Sequence, residues 1–128
     1  MSEPVEYTVE VDGHDYRVWE KGEGRPFGYL AGIGGLTAWT PFLDRMAERR
    51  RVIVPSLPGF PGAQAFRHLD SHLDWLVTVE ALLLEAGITD CDLMGVSVGG
   101  TLAADVAAVW PEMSVSYTHL RAHETLNH

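Results

Sequence analysis

The sequence predicts an α/β protein in which a mostly parallel sheet is flanked by helices. Two observations support this fold class. Alternating apolar and polar residues near the N-terminus indicate a β-hairpin, and three short apolar runs then alternate with three helical runs. The order after the hairpin is β-α-β-α-β-α, which is typical of a parallel sheet covered on both faces.

The hairpin is predicted from EYTVEVDGHDYRVWE, which alternates on both sides of Asp12-Gly13, a dipeptide suited to a tight primed turn. PFGYLAGIGG then predicts a short strand that runs into a glycine-rich loop. LTAWTPFLDRMAERR predicts a helix. Thr37 and Thr40 are the candidates to cap its start, and Pro41 suits a first helical position.

RVIVPSL predicts the next strand, whose apolar centre suits burial on both faces. LDSHLDWLVTVEALLLEAG predicts a long amphipathic helix ended by Gly87, with an apolar stripe of Leu69, Leu73, Leu76, Val77, Leu83 and Leu84. CDLMGVS predicts a third apolar strand, and VGGTLAADVAAVW predicts a helix that Pro111 stops. Ligands are expected at the carboxyl ends of the strands, where the glycine-rich loops 32–35 and 95–100 lie.

Composition narrows the class of protein. The 128 residues, 46% hydrophobic and 21% charged, suit a single globular domain. A net charge of −9 disfavours nucleic acid and anionic membrane surfaces as partners. Cys91 is the only cysteine, which excludes an intrachain disulfide and fits a reducing compartment. The acidic N-terminus lacks the apolar core of a signal peptide, so a cytoplasmic location is expected.

One serine is framed by glycines between the last predicted strand and helix. Gly95-Val96-Ser97-Val98-Gly99 matches G-x-S-x-G, a motif that requires a strand, a sharp turn and a helix in that order. Side chains two residues away would collide with the turn, so Gly95 and Gly99 leave room for it. The hydroxyl then projects at a helix start, where the dipole and free N–H groups stabilise negative charge. A plain N-cap is the alternative role of Ser97.

Residues 5–113 resemble the α/β-hydrolase family. LAGIGGLTAWTPFLDRMAERRRVIVPSLPGFPG is similar to the family's stretch from its third strand through helix A to the loop after its fourth strand. GVSVGG resembles the nucleophile elbow, and WPE resembles the end of the following helix. The resemblance implies the N-terminal portion of an α/β-hydrolase fold. It also implies that Ser97 is the nucleophile and that the backbone N–H groups of Ile33 and Val98 form the oxyanion hole.

Two positions depart from the family pattern, which usually has His-Gly at Ala31-Gly32 and often has Asp at Ser56. The oxyanion donor is a backbone group, so the change at Ala31 is expected to disturb loop hydrogen bonds and to leave the hole in place. A serine at the elbow argues against the haloalkane and epoxide branches of the family. It favours acyl chemistry on a small-molecule ester, thioester, lactone or amide, or hydrolysis of a C–C bond, without cofactor or metal. A non-catalytic binding protein and an acyltransferase on the same fold are the alternatives.

Ser97 needs a histidine that accepts its proton and a carboxylate that orients this histidine. In the family both follow the elbow, but only 31 residues (128 − 97) follow Ser97 here. His14 is predicted to face solvent at the hairpin turn. His68 and His72 have the spacing of a metal-binding pair, but no third ligand is evident, so no metal site is predicted.

His119 and His123 do follow Ser97, but they lie in a segment that resembles translated adapter DNA. VSYTHLRAHET, residues 115–125, back-translates codon by codon into the end of a transposase-type sequencing adapter. The chain is therefore divided into a truncated α/β-hydrolase domain, 1–113, and a non-native tail, 114–128, with a natural extension of the helix as the alternative. On this interpretation His119, His123 and Glu124 take no part in any mechanism.

This division carries two expectations. The chain is expected to be an incomplete, inactive fragment that lacks the acid and the histidine of the triad. The sheet is expected to end at the strand before Ser97, leaving an apolar edge through which the fragment would self-associate.

Overall fold

The computed structural model describes residues 3–31, 35–58, 71–88, 91–110 and 114–120. In these ranges the strands are Val5–Val11 (β1), His14–Lys21 (β2), Pro26–Leu30 (β3), Arg51–Pro55 (β4), Cys91–Val96 (β5) and Ser114–Leu120 (β6). The helices are Pro41–Met46 (α1), His72–Glu85 (α2) and Val98–Val109 (α3). The sheet order is β1-β2-β4-β3-β5-β6, with β1 and β2 antiparallel to their neighbours and the others parallel.

The predicted hairpin is confirmed. β1 and β2 pair from Val5 opposite Glu20 to Val11 opposite His14. Asp12 and Gly13 connect them with φ values of 51° and 79°, the two positive values that a type I′ turn requires.

Helices cover both faces of the sheet, as predicted. On one face, α1 contributes Leu43 to a core with Val52 and Val54 of β4. On the other face, α2 and α3 pack on the neighbouring residue of β4, Ile53, which is fully buried. Alternate side chains of one strand therefore enter two cores, which explains the continuous apolar run of β4. No helix in the described ranges is long and apolar enough to cross a bilayer.

Helix α1 begins as predicted but ends early. Thr40, not Thr37, caps it: its hydroxyl accepts a hydrogen bond from the Leu43 N–H at 3.3 Å, and Pro41 occupies the first turn. The predicted helix extended to residue 50, whereas α1 ends at Met46. Beyond that point, the N–H groups of Glu48 and Arg49 bond to carbonyls three residues back, which tightens the chain into turns.

Helix α2 is present, but its predicted apolar stripe is partly wrong. Ser71 and Asp74 form a reciprocal capping box at its start. Its buried face consists of Leu76, Thr78, Val79, Leu82 and Leu83. In contrast, the predicted core residues Leu73, Val77 and Leu84 are 65%, 49% and 47% exposed. The helix is apolar around most of its circumference, so the contacts with the sheet and α3 select the buried side, and sequence periodicity does not. Leu69 lies outside the described residues.

The expected unpaired edge of β5 is also a wrong prediction. β6 pairs with β5 in parallel from Ser114 opposite Cys91 to Leu120 opposite Val96, with one register shift near Cys91. The segment SVSYTHL is rich in β-branched and aromatic residues, which favours a strand. Pairing also satisfies backbone groups of β5 that would otherwise be left without partners. The division of the chain at residue 113 stays a prediction.

Candidate active site

The turn between β5 and α3 consists of a single residue, Ser97. β5 ends at Val96 and α3 begins at Val98, so Ser97 alone reverses the chain direction, with φ 56° and ψ −120°. Ser97 and Asp12 are the only non-glycine residues with positive φ in the described ranges. Such a conformation costs about 1–3 kcal/mol and persists only where the surrounding structure enforces it.

The hydroxyl of Ser97 does not cap the helix that follows. Ser97 occupies the N-cap position of α3, yet its side chain accepts no hydrogen bond from the first turn. Its backbone carbonyl accepts one from the Thr101 N–H at 3.0 Å. Helix capping therefore does not account for a serine at this position, and the side chain is only partly buried.

Two glycines allow the elements around Ser97 to approach closely. A β-carbon on Gly99 would lie 2.7 Å from the carbonyl carbon of Leu30 and closer still to the carbonyl oxygens of Leu30 and Ala31. A β-carbon on Gly95 would lie 2.5 Å from the backbone nitrogen of Gly100. Real β-carbons essentially never approach within 3.0 Å. The start of α3 is therefore packed directly on the carboxyl ends of β3 and β5.

The start of α3 also presents backbone donors. Val98 is the first residue of the helix, and the first N–H groups of any helix have no partner within it. These groups, together with the helix dipole, favour negative charge beside Ser97. Ile33, the other predicted oxyanion donor, lies outside the described residues.

Two curated proteins are similar in sequence. The dihydrolipoyllysine-residue acetyltransferase component of the acetoin cleaving system of Pseudomonas putida is 36% identical over 118 residues, which cover 88% of this chain and 31% of that protein. The pimeloyl-[acyl-carrier protein] methyl ester esterase of Aeromonas hydrophila is 33% identical over 92 residues, covering 71% and 35%. The chain thus spans about a third of these relatives. No family model matches it.

Solved structures with the same fold are also found. A bacterial membrane phospholipase A, 26% identical, superposes with a TM-score of 0.83 over 94% of this chain and 40% of its own. The chain has the α/β-hydrolase fold. The expected fold class is confirmed.

In the part of the chain that the structure describes, no side-chain hydrogen bond joins a histidine to Ser97. His72 Nε2 lies 2.9 Å from Asp105 Oδ2, which links the start of α2 to α3. Within the described ranges, no three metal-binding side chains cluster together. His14 lies at the start of β2. His119 lies on β6, at the register position opposite Gly95.

The remaining three histidines, His68, His123 and His128, lie outside the described residues.

Cys91, at the start of β5, is no rival to Ser97 as a nucleophile. It is fully buried, and burial raises the pKa of its thiol to about 11. Since the thiolate is the nucleophilic form, this cysteine is inert at neutral pH.

The structure adds one residue that the sequence did not indicate. Arg17 of β2 lines a small cavity together with Ala31 and Ser56, the two positions at which the sequence departs from the family pattern. A single arginine in a strand with alternating polarity carries no signal of this placement. It depends on the pairing of β2 with β4, which is distant in sequence.

Proposed function

We propose that the protein containing this chain is a serine hydrolase that forms an acyl-serine intermediate. Ser97 attacks the carbonyl carbon of a small-molecule ester, thioester, lactone or amide. The tetrahedral oxyanion accepts hydrogen bonds from the backbone N–H groups of Val98 and Ile33. The observation that carries this proposal is the strained backbone of Ser97, which holds a hydroxyl with no capping role at the start of a helix.

The mechanism requires a proton acceptor, and we propose that a part of the protein outside this chain supplies it. The hydroxyl is a weak nucleophile until a histidine removes its proton, and that histidine needs an orienting carboxylate. A described histidine–carboxylate bond joins His72 to Asp105, two turns along α3 from the serine. The chain alone is therefore expected to turn over little or no substrate. Any remaining rate would come from the oxyanion hole and binding.

Two other functions are favoured by specific observations. The departures from the family pattern at Ala31 and Ser56 favour a non-catalytic binding protein built on this fold. The similarity to a protein named as an acetyltransferase component favours an acyltransferase, in which an alcohol or thiol takes the acyl group in place of water.

A serine-directed fluorophosphonate probe on the complete gene product separates these functions. Labelling and hydrolysis of a chromogenic short-chain ester are expected to occur, to disappear in Ser97→Ala and to persist in Ser71→Ala, a matched change at the cap of α2. Absence of labelling in a folded complete protein would favour the binding function. Product analysis with added alcohol or thiol acceptors would detect acyl transfer.

A further inference from the structure

A larger cavity lies away from Ser97, on the face of the sheet that α1 covers. It has a volume of about 280 Å³, and its walls include Glu3, Glu6 of β1, Trp19 of β2 and Trp39 just before α1. Strands β4 and β3 separate β2 from β5, so this cavity is distinct from the candidate active site. Its volume is close to the lower limit of about 300 Å³ for small-molecule sites.

Both indole rings in these walls are held in place by hydrogen bonds to carboxylates. Trp19 Nε1 donates to Glu6 Oε1 at 2.7 Å, and Trp39 Nε1 donates to Asp44 Oδ1 at 3.3 Å. Asp44 is in turn paired with Lys21. Each ring is also half-buried against the core beneath α1. The rings are therefore fixed in advance, and binding of a ligand does not need to order them.

The chemistry of the walls favours a cation. The ionised carboxylates of Glu3 and Glu6 only accept hydrogen bonds, and the N–H groups of both indoles are already used. Among the described side chains that line the cavity, Thr37 is left as the one donor, through its hydroxyl. A ligand therefore meets carboxylate oxygens and aromatic rings, which attract positive charge and repel an anion.

Trp19 already binds a cation within the protein. The guanidinium carbon of Arg17 lies 3.8 Å from the centroid of its ring, inside the limit of about 6 Å for a cation–π contact. Arg17 also donates to the Leu36 carbonyl oxygen at 2.8 Å, so it is fixed on one face of the ring and leaves the other face to a ligand. Two carboxylates against this one guanidinium leave negative charge in excess at the cavity.

We propose that this cavity binds a small organic cation, whose quaternary ammonium group contacts the indole rings of Trp19 and Trp39 near the carboxylates of Glu3 and Glu6. The methyl groups of such a cation carry its charge on an apolar surface, which suits an aromatic ring. A primary ammonium is more strongly hydrated and needs an acceptor for each of its three donors. This inference does not depend on the chemistry proposed for Ser97.

The test is a titration of the full chain with choline, followed by NMR of the indole N–H groups. The signals of Trp19 and Trp39 are expected to shift saturably, while those of Trp75 and Trp110 stay unchanged. The neutral isostere 3,3-dimethylbutan-1-ol, which has carbon in place of the nitrogen, is expected to bind at least about tenfold more weakly. Equal affinity for this alcohol, or no saturable shift up to about 50 mM choline, would refute the proposal.

Two pairs of variants separate the contributions of charge and aromatic contact. Glu6→Gln removes a charge but keeps an oxygen that can accept from Trp19, and Glu10→Gln is its control, also exposed and on the same face of β1. Glu6→Gln is expected to raise the Kd of choline about fivefold, with the control within about twofold of wild type. Trp39→Leu is expected to raise it about tenfold, and Trp75→Leu on α2 to leave it unchanged. An unchanged Kd in Glu6→Gln or in folded Trp39→Leu would show that these groups do not form a cation site.

Discussion

Replacing Gly99 with alanine tests the close packing on which the candidate site depends. The added methyl would meet the carbonyl groups of Leu30 and Ala31. It would lie 2.7 Å from the Leu30 carbonyl carbon, and real β-carbons essentially never come closer than 3.0 Å to such an atom. All three nearest atoms are backbone, so no side-chain rotation relieves the clash and α3 must move away from β3. Overpacking in a core costs about 1–3 kcal/mol, and this rigid contact is expected to reach about 3 kcal/mol.

Urea unfolding of the chain measures this effect. With a slope of about 2 kcal/mol per M, a loss of about 3 kcal/mol lowers the midpoint by about 1.5 M. Gly13→Ala is the matched control, because a methyl there meets nothing within 4 Å and only the positive φ of 79° is unfavourable. That strain amounts to about 1–2 kcal/mol. A Gly99→Ala midpoint equal to or above that of Gly13→Ala would refute the steric argument.

Three further predictions concern the scaffold. Ser71→Ala removes the capping box of α2 and is expected to lower the free energy of unfolding by about 1 kcal/mol; no loss in urea unfolding would contradict the cap. Glu20→Gln breaks a two-bond contact with Arg51, at 2.8 and 3.1 Å, and is expected to destabilise by about 1 kcal/mol at neutral pH. The hydrogen bonds from Arg51 lower the pKa of Glu20 in the folded state, so this contribution is present above the ordinary value of 4.5 and is lost as pH falls through the lowered pKa. The difference in unfolding free energy between wild type and Glu20→Gln should therefore be present at neutral pH and disappear at acidic pH. A difference that does not change with pH would contradict the assignment. Iodoacetamide at about pH 8 is expected to leave Cys91 unmodified in the folded chain and to alkylate it in urea, because burial raises the thiol pKa to about 11; equal rates would contradict burial.

Local chemistry made part of the fold predictable. Asp12-Gly13 specifies its turn through two positive φ values, and Pro41 after Thr40 specifies a helix start, so neighbours in sequence suffice. The buried face of α2 was not predictable in this way, because leucine and valine occur on several of its sides and long-range packing chooses among them. The same limit applies to Arg17, whose position follows from strand pairing and not from its neighbours in sequence.

The candidate site follows the same distinction. Its G-x-S-x-G stretch is local, but the strain on Ser97 is maintained by contacts between separate elements. Gly99 brings α3 against the end of β3, and Ala31, at that end, lines the cavity that holds Arg17. A loss of close packing at Gly99 and a loss of the Arg17 side chain should therefore be coupled, because both change the surroundings of Ala31. The double variant Gly99→Ala, Arg17→Met is expected to lose less free energy of unfolding than the two single variants lose in sum, because moving α3 already releases Ala31. Strict additivity would mean that the two sides of Ala31 act independently, and the coupling between the cavity and the start of α3 would then be refuted.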